Sequence, residues 1–260
     1  MKTSLDNATG KTTNEQIAAM HKPAVVSADQ WQKSWEELLI KEKELTRARD
    51  AMAAARRRMP WLAVEKQYLF EGPEGKRSLL DLFEGRRQLV LYRAFYDDNV
   101  YGWPDHACVG CSLGADQVSH LAHLHARDTT LAYASRGSQE NIAKLKHRMG
   151  WETIPWYTIT DDWDKDFNVH EWHGHNVFFR DEHDKIFRTY YVNNRGDENM
   201  GSLWSYLDIT PLGRQEDWED SPEGYPKGPR YKWWRWHEIY GNEDAGWAKA
   251  SDSAMVTLDL

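Results

Sequence analysis

The chain has two cysteines in 260 residues, and they stand together as Cys108-Val109-Gly110-Cys111. A C-x-x-C pair holds structural zinc only with two further ligands, and no second C-x-x-C exists in the sequence. The pair fits reversible dithiol/disulfide chemistry, in which one thiolate attacks a partner and the second resolves the mixed disulfide. The plainer alternative is two small, inert buried side chains. Cys108, the N-terminal member, is the expected nucleophile and Cys111 the resolving thiol. His106, two residues earlier, stands where an imidazole can favour the thiolate or move a proton. Asp105 opposes it electrostatically. No phosphate-cradling loop, G-x-G-x-x-G or other nucleophile–base arrangement competes for the active-site reading.

The elements around the cysteines suit that chemistry. Gln88-Leu89-Val90-Leu91-Tyr92-Arg93-Ala94-Phe95 lacks Gly and Pro and reads as a buried strand. A polar and aromatic loop follows, from Tyr96 to Ala107. The cysteines then open a segment with Leu113, Val118, Leu121 and Leu124, expected to be one helical stripe. Cys108 therefore falls near a helix N-terminus, where unpaired amides favour a thiolate. Thr129 to Ser135 reads as the next strand, which completes a βαβ context.

The remaining expectations extend this α/β pattern. Ser138 caps a helix carrying Ile142, Leu145 and Met149, closed by Gly150. Trp151 to Phe167 reads as a connection rich in Trp and Asp. Asn176 to Arg180 and Ile186 to Val192 are strands joined by a polar turn, a hairpin. Leu203, Tyr206 and Leu207 mark a last helix ending near Pro211. Upstream, Tyr68-Leu69-Phe70 and a Gly-Pro-Glu-Gly turn precede Ser78-Leu79-Leu80-Asp81-Leu82-Phe83. Nearer the start, Ser27 and Gln30 form a capping box before Trp31, Trp35, Leu38, Leu39 and Leu45 at helical spacing. That helix should pack on the core or on a second subunit.

The divisions read as a polar, disordered tail (1–22), a helical extension (23–66), an α/β domain (67–214) and a Trp-rich C-terminal extension (215–260). The stretch from Asn242 should be loose. Arg56-Arg57-Arg58 reads as a solvated face. Trp233, Trp234 and Trp236 either pack the tail on the domain or cover the dithiol. The net charge of −8 disfavours nucleic-acid and acidic-lipid partners. The sequence shows no secretory h-region and no long apolar run, which points to a cytoplasmic protein without a membrane span. A reducing cytosol suits a catalytic dithiol better than a structural bridge.

Several runs in order then resemble the thioredoxin superfamily, and more closely the thioredoxin-like family called domain of unknown function 899. They are Ser78-Leu79-Leu80-Asp81-Leu82-Phe83-Glu84-Gly85-Arg86, Gln88-Leu89-Val90-Leu91-Tyr92 and Cys108-Val109-Gly110-Cys111-Ser112. Arg148-Met149-Gly150-Trp151, Val177-Phe178-Phe179-Arg180-Asp181 and the run from Tyr206 to Arg214 continue the series. Trp233-Trp234-Arg235-Trp236-His237-Glu238-Ile239-Tyr240-Gly241 closes it. The resemblance spans roughly residues 25–241. It implies a thioredoxin-like three-layer sandwich with a mixed central sheet, and thiol–disulfide exchange on an unidentified disulfide or dithiol substrate.

The resemblance also implies that the loop before Val177 faces the cysteines. Thioredoxins carry a cis-proline there; this chain has Gly174-His175-Asn176. The peroxiredoxin pattern needs a Thr three residues before the reactive cysteine, and that position is Asp105. The substrate-contacting candidates are thus His173, His175 and Asn176, with Trp103 in the loop before the cysteines. No cofactor is expected. The alternatives are a copper or zinc site built from the two cysteines and nearby histidines, and a non-catalytic interaction module. A homodimer is an open expectation. His120, His123 and His125 read as surface residues.

Overall fold

The structure, a computed structural model, describes residues 12–98, 107–169 and 173–240. Among these residues the strands form one eight-stranded sheet in the order β1-β8-β7-β4-β5-β6-β2-β3. The strands are β1 (Leu62–Ala63), β2 (Leu69–Gly72), β3 (Gly75–Ser78), β4 (Gln88–Arg93), β5 (Thr129–Ser135), β6 (Trp156–Ile159), β7 (Gly174–Arg180) and β8 (Ile186–Val192). β4 runs parallel to β5, and β5 to β6. β7 is antiparallel to β4, and β8 to β7. The hairpin β2–β3 extends the far edge. The unit β4–helix–β5–helix, followed by the β7–β8 hairpin on the other side of β4 and a closing helix, is the thioredoxin-like topology.

Alternation along the strands makes two cores, because successive side chains point to opposite faces. Tyr92 and its partner Tyr133 face one layer with Trp156, Ile142, Leu145 and Met149. Leu91 and its partner Ala132 face the other, with Leu82, Phe83, Trp163 and Phe178. The first layer is covered by α3 (Val109–Ala115), α5 (Gln139–Met149) and the C-terminal segment. The second is covered by the 3-10 turn Asp81–Phe83 and α6 (Trp163–Asp166). α4 (Ala122–His125) and α7 (Ser202–Asp208) complete this part.

Several sequence expectations match in detail. β5 begins and ends where expected, and Ser138 Oγ accepts a hydrogen bond from Asn141 N at the start of α5. Gly150 closes α5 in a left-handed conformation, φ +71, which glycine adopts without a Cβ penalty.

Three expectations are corrected. The stripe from Leu113 to Leu124 is two short helices. Gly110 and Gly114 weaken α3, and the Asp116 carboxylate at its end is taken by Trp151 Nε1 and His237 Nδ1, each at 2.8 Å. The Trp151–Phe167 connection holds β6, whose Trp156 Nε1 donates to Ser135 Oγ on the neighbouring strand. Within the expected tail, α1 (Asn14–Ala19) forms behind a Thr13/Gln16 capping box. The Ser27 helix is α2 (Ala28–Arg56), with its capping box in place, yet none of its residues is buried. Of the two positions expected for it, on the core or on a second subunit, it does not take the first. Residues 1–11 and those from Asn242 lie outside the described residues. Among the described residues no helix is long and apolar enough to cross a membrane.

Candidate active site

α3 starts at the carboxyl end of β4, a strand in the middle of the eight-stranded sheet that is parallel to β5 on one side and antiparallel to β7 on the other, and α/β sheets present their ligand crevices at the carboxyl ends of their strands. Cys108 occupies the N-cap position and Cys111 lies in the first turn. Both are thiols; Cys108 is half-buried and Cys111 is buried. Cys108 Sγ accepts a hydrogen bond from Cys111 N at 3.4 Å. Ser112 fixes the loop from behind: its Oγ donates to Cys108 O at 2.9 Å and meets Tyr96 Oη at 2.7 Å.

The two sulfurs are electrostatically unlike. A hydrogen bond from the Cys111 thiol holds the Cys108 thiol below its ordinary pKa, helped by the backbone N–H groups of Cys111 and Gly110 against the opposing effect of burial. Burial pushes the Cys111 thiol well above its ordinary value, and the Cys108 sulfur adds to this. Two groups pull Cys111 the other way, His173 when it is protonated and the Tyr92 hydroxyl. Tyr92 Oη donates to Cys111 Sγ at 3.4 Å, and Phe95 N donates to the same sulfur at 3.3 Å. Tyr92 is itself kept a phenol, its pKa raised well above the usual value by burial first and by Cys111 next.

The start of β7 lies beside Tyr92, the partner of the Cys111 sulfur. His175 pairs with Tyr92 across the β4–β7 ladder, and its ring lies 4.6 Å from the Tyr92 ring. His175 is therefore one aromatic ring removed from the Cys111 sulfur. Its Nδ1 is 2.8 Å from Asp197 Oδ1, while His173 Nδ1 is 3.7 Å from Asp197 Oδ2. Burial raises the Asp197 pKa, but the two histidines outweigh this and hold the carboxyl below its ordinary range. Asp197 and Tyr92 were not among the sequence candidates. Neither carried a sequence signal: Tyr92 shares a face with His175 only through the β4–β7 register, and Asp197 arrives in the polar 3-10 turn after β8.

Asn176 is corrected. It pairs with Leu91, not Tyr92, and so faces the opposite side of the sheet from the cysteines. There it is fully buried and its Oδ1 accepts from Arg188 Nη2 at 2.7 Å. Gly174 makes the turn into β7 at φ +138, where an added Cβ would lie 2.8 Å from the Tyr191 ring and from Val192 O. His106 and Trp103 lie outside the described residues. Among the described residues no group of three His, Cys, Asp or Glu side chains is placed to hold a metal ion. Both imidazole Nδ1 atoms turn to Asp197 rather than to sulfur.

The C-terminal segment roofs the dithiol. Trp234 packs on the core cluster that holds Cys111, and so does Cys108. A Cβ on Gly110 would stand 2.9 Å from Trp234 Cζ3, so glycine between the cysteines is what lets the indole lie against them. Tyr231, 4.4 Å between ring centroids, backs Trp234. Buried Glu216 ties the segment together, accepting from Trp233 Nε1 and Tyr231 N, each at 2.8 Å. Trp236, fully buried, anchors it under the Arg148 guanidinium at 4.6 Å.

No curated protein matches the sequence. Among solved structures, a thiol:disulfide interchange protein from Bacteroides sp. is similar at 15% identity, over 58% of this chain and 91% of its own, with a TM-score of 0.37. Peroxidoxin BcpB from Mycobacterium tuberculosis is similar at 15% identity, over 55% and 89%, with a TM-score of 0.36. The mitochondrial 2-cys peroxiredoxin from Plasmodium falciparum is similar at 16% identity, over 57% and 93%, with a TM-score of 0.35. Residues 20–240 match the model of the family described as bacterial protein of unknown function, DUF899, and the chain belongs to that family.

Proposed function

We propose that this protein is a thiol–disulfide oxidoreductase working through Cys108 and Cys111. The observation that carries the reading is the unequal pair of thiols: a partly buried Cys108 with a lowered pKa beside a buried Cys111 with a raised one. The Cys108 thiolate attacks one sulfur of a substrate disulfide. A Cys108–substrate disulfide forms, and the other substrate sulfur leaves as a thiolate that takes up a proton. Cys111 then loses its proton and attacks Cys108 Sγ. This closes the Cys108–Cys111 disulfide and releases the second substrate thiol. The substrate gains two electrons and two protons, and an external dithiol returns them to the protein.

Tyr92 stabilises the Cys111 thiolate at the resolving step by donating its phenolic hydrogen. His173, when protonated, favours the same charge. Both act at the sulfur that most needs help, because burial disfavours the Cys111 anion.

The test is the rate of iodoacetamide alkylation against pH, with the modified residue identified by mass spectrometry. Only the thiolate reacts, so the rate rises with pH through the thiol pKa. Cys108 should alkylate first, with a midpoint below the free-cysteine value of about 8.5. A midpoint at or above that value, or faster alkylation of Cys111, would overturn the assignment. Equilibration with a dithiothreitol redox buffer should further give one reversible Cys108–Cys111 disulfide.

A further inference from the structure

We propose that α2 pairs with α2 of a second copy of this chain as an antiparallel two-stranded coiled coil. The helix runs 29 residues, about 43 Å at 1.5 Å per residue. Trp31, Trp35, Leu38, Leu45 and Met52 lie along it, with Glu42 and Arg49 between them. The steps from Trp31 to Met52 alternate four and three residues throughout, a heptad seam held for three repeats.

Every apolar member of the seam faces solvent. Trp31 is 58% exposed, Leu38 52%, Leu45 53% and Met52 55%. The two indoles stack on each other, 6.4 Å between centroids. Helices of this kind draw most of their stability from packing an apolar face, and the rest of the described chain does not cover this one. A heptad seam on a long, N-capped helix fits another such helix, and a second copy supplies the same spacing.

The two polar seam positions select the direction. Parallel pairing would set Glu42 against Glu42 and Arg49 against Arg49, two like-charge contacts in the seam. Antiparallel pairing with Leu45 facing Glu42 sets the partner's Arg49 opposite Leu38, one layer from Glu42. Each carboxylate then has a guanidinium within reach, and Trp35 meets the partner's Met52.

Sedimentation equilibrium of the full chain, kept reduced, tests this. The protein should be a dimer at micromolar concentrations. The double variant Leu38→Glu/Leu45→Glu should be monomeric, with its helical circular dichroism largely kept. Glu42→Arg alone should weaken the dimer about tenfold, from one attraction turned to repulsion in two symmetric places. Glu42→Arg/Arg49→Glu should restore it. A monomer throughout, or a dimer indifferent to the Leu38/Leu45 change, would overturn the pairing. Failure of the charge exchange to restore affinity would overturn the antiparallel arrangement even if the leucines matter.

Discussion

At the scale of residues, the unusual member of the site is Tyr92. A buried thiol asked to become a thiolate meets the cost of an uncompensated charge in an apolar surrounding. Cys111 receives two donors, Tyr92 Oη and Phe95 N, and the first belongs to a side chain that can be changed. Tyr92→Phe keeps the ring against Tyr133, 4.8 Å away, and removes only the donor. A hydrogen bond to a charged group is worth about 1.5–3 kcal/mol, so decay of the mixed disulfide should slow by roughly tenfold to a hundredfold. Stopped-flow trapping of that intermediate is the measurement, and a rate equal to that of the unaltered protein would remove Tyr92 from the resolving step. The cysteine pair was legible in the sequence because both members sit within four residues. Tyr92 and Asp197 were not, because only the sheet and the loop after β8 bring them to the dithiol.

At the scale of elements, β7 is placed by a single permissive residue. Gly174 enters the strand at φ +138, hard against Val192 O on β8 and the Tyr191 ring. Tyr191 Oη also donates to His173 O at 3.0 Å, so the same tyrosine fixes the residue before the turn. This backbone conformation is strained for any L side chain, and the carbonyl cannot rotate away while the β7–β8 ladder holds. Gly174→Ala should therefore cost about 1–3 kcal/mol, read as a lower midpoint in urea unfolding. An unchanged midpoint would mean that β7 starts without needing this turn. Hairpin residues 181–185 were recognisable from their polar run between two apolar strands. The short strand β6 was not, because four residues flanked by Trp, Pro and Asp give little periodicity, and its pairing with β5 is what defines it.

At the scale of the whole molecule, a distant stretch of chain sits over the reactive end of α3. The segment after α7 crosses the dithiol layer, with Trp236 buried at its base and Trp234 against Gly110, between the two cysteines. Its clamp is Glu216, and its far contacts reach α5 through Arg148 and Glu238 at 2.6 Å. Trp234 thus limits what reaches Cys108. Trp234→Ala should raise the alkylation rate of Cys108 several-fold at fixed pH while leaving the pH midpoint in place, since the indole donates no hydrogen bond to the sulfur. A rate that does not move would show that reagents enter by another side, and a shifted midpoint would show that Trp234 tunes the thiol rather than shielding it.

The sequence by itself determined the pair of cysteines, the strand before them, the capped helices at Ser27 and Ser138, and the β7–β8 hairpin. Each of these is local, set by spacing, capping or alternation within a dozen or so residues. Tertiary structure alone decided that Asn176 turns away from the site and His175 toward Tyr92, because a strand's two faces are assigned only when its partner fixes the register. It also decided that the stripe after the cysteines breaks at Asp116, where Trp151 and His237 take the carboxylate. And it decided that α2, whose apolar spacing allowed a place on the core or on a second subunit, stands with that spacing in solvent. Periodicity states that a face is apolar; only the packed chain states what, if anything, covers it.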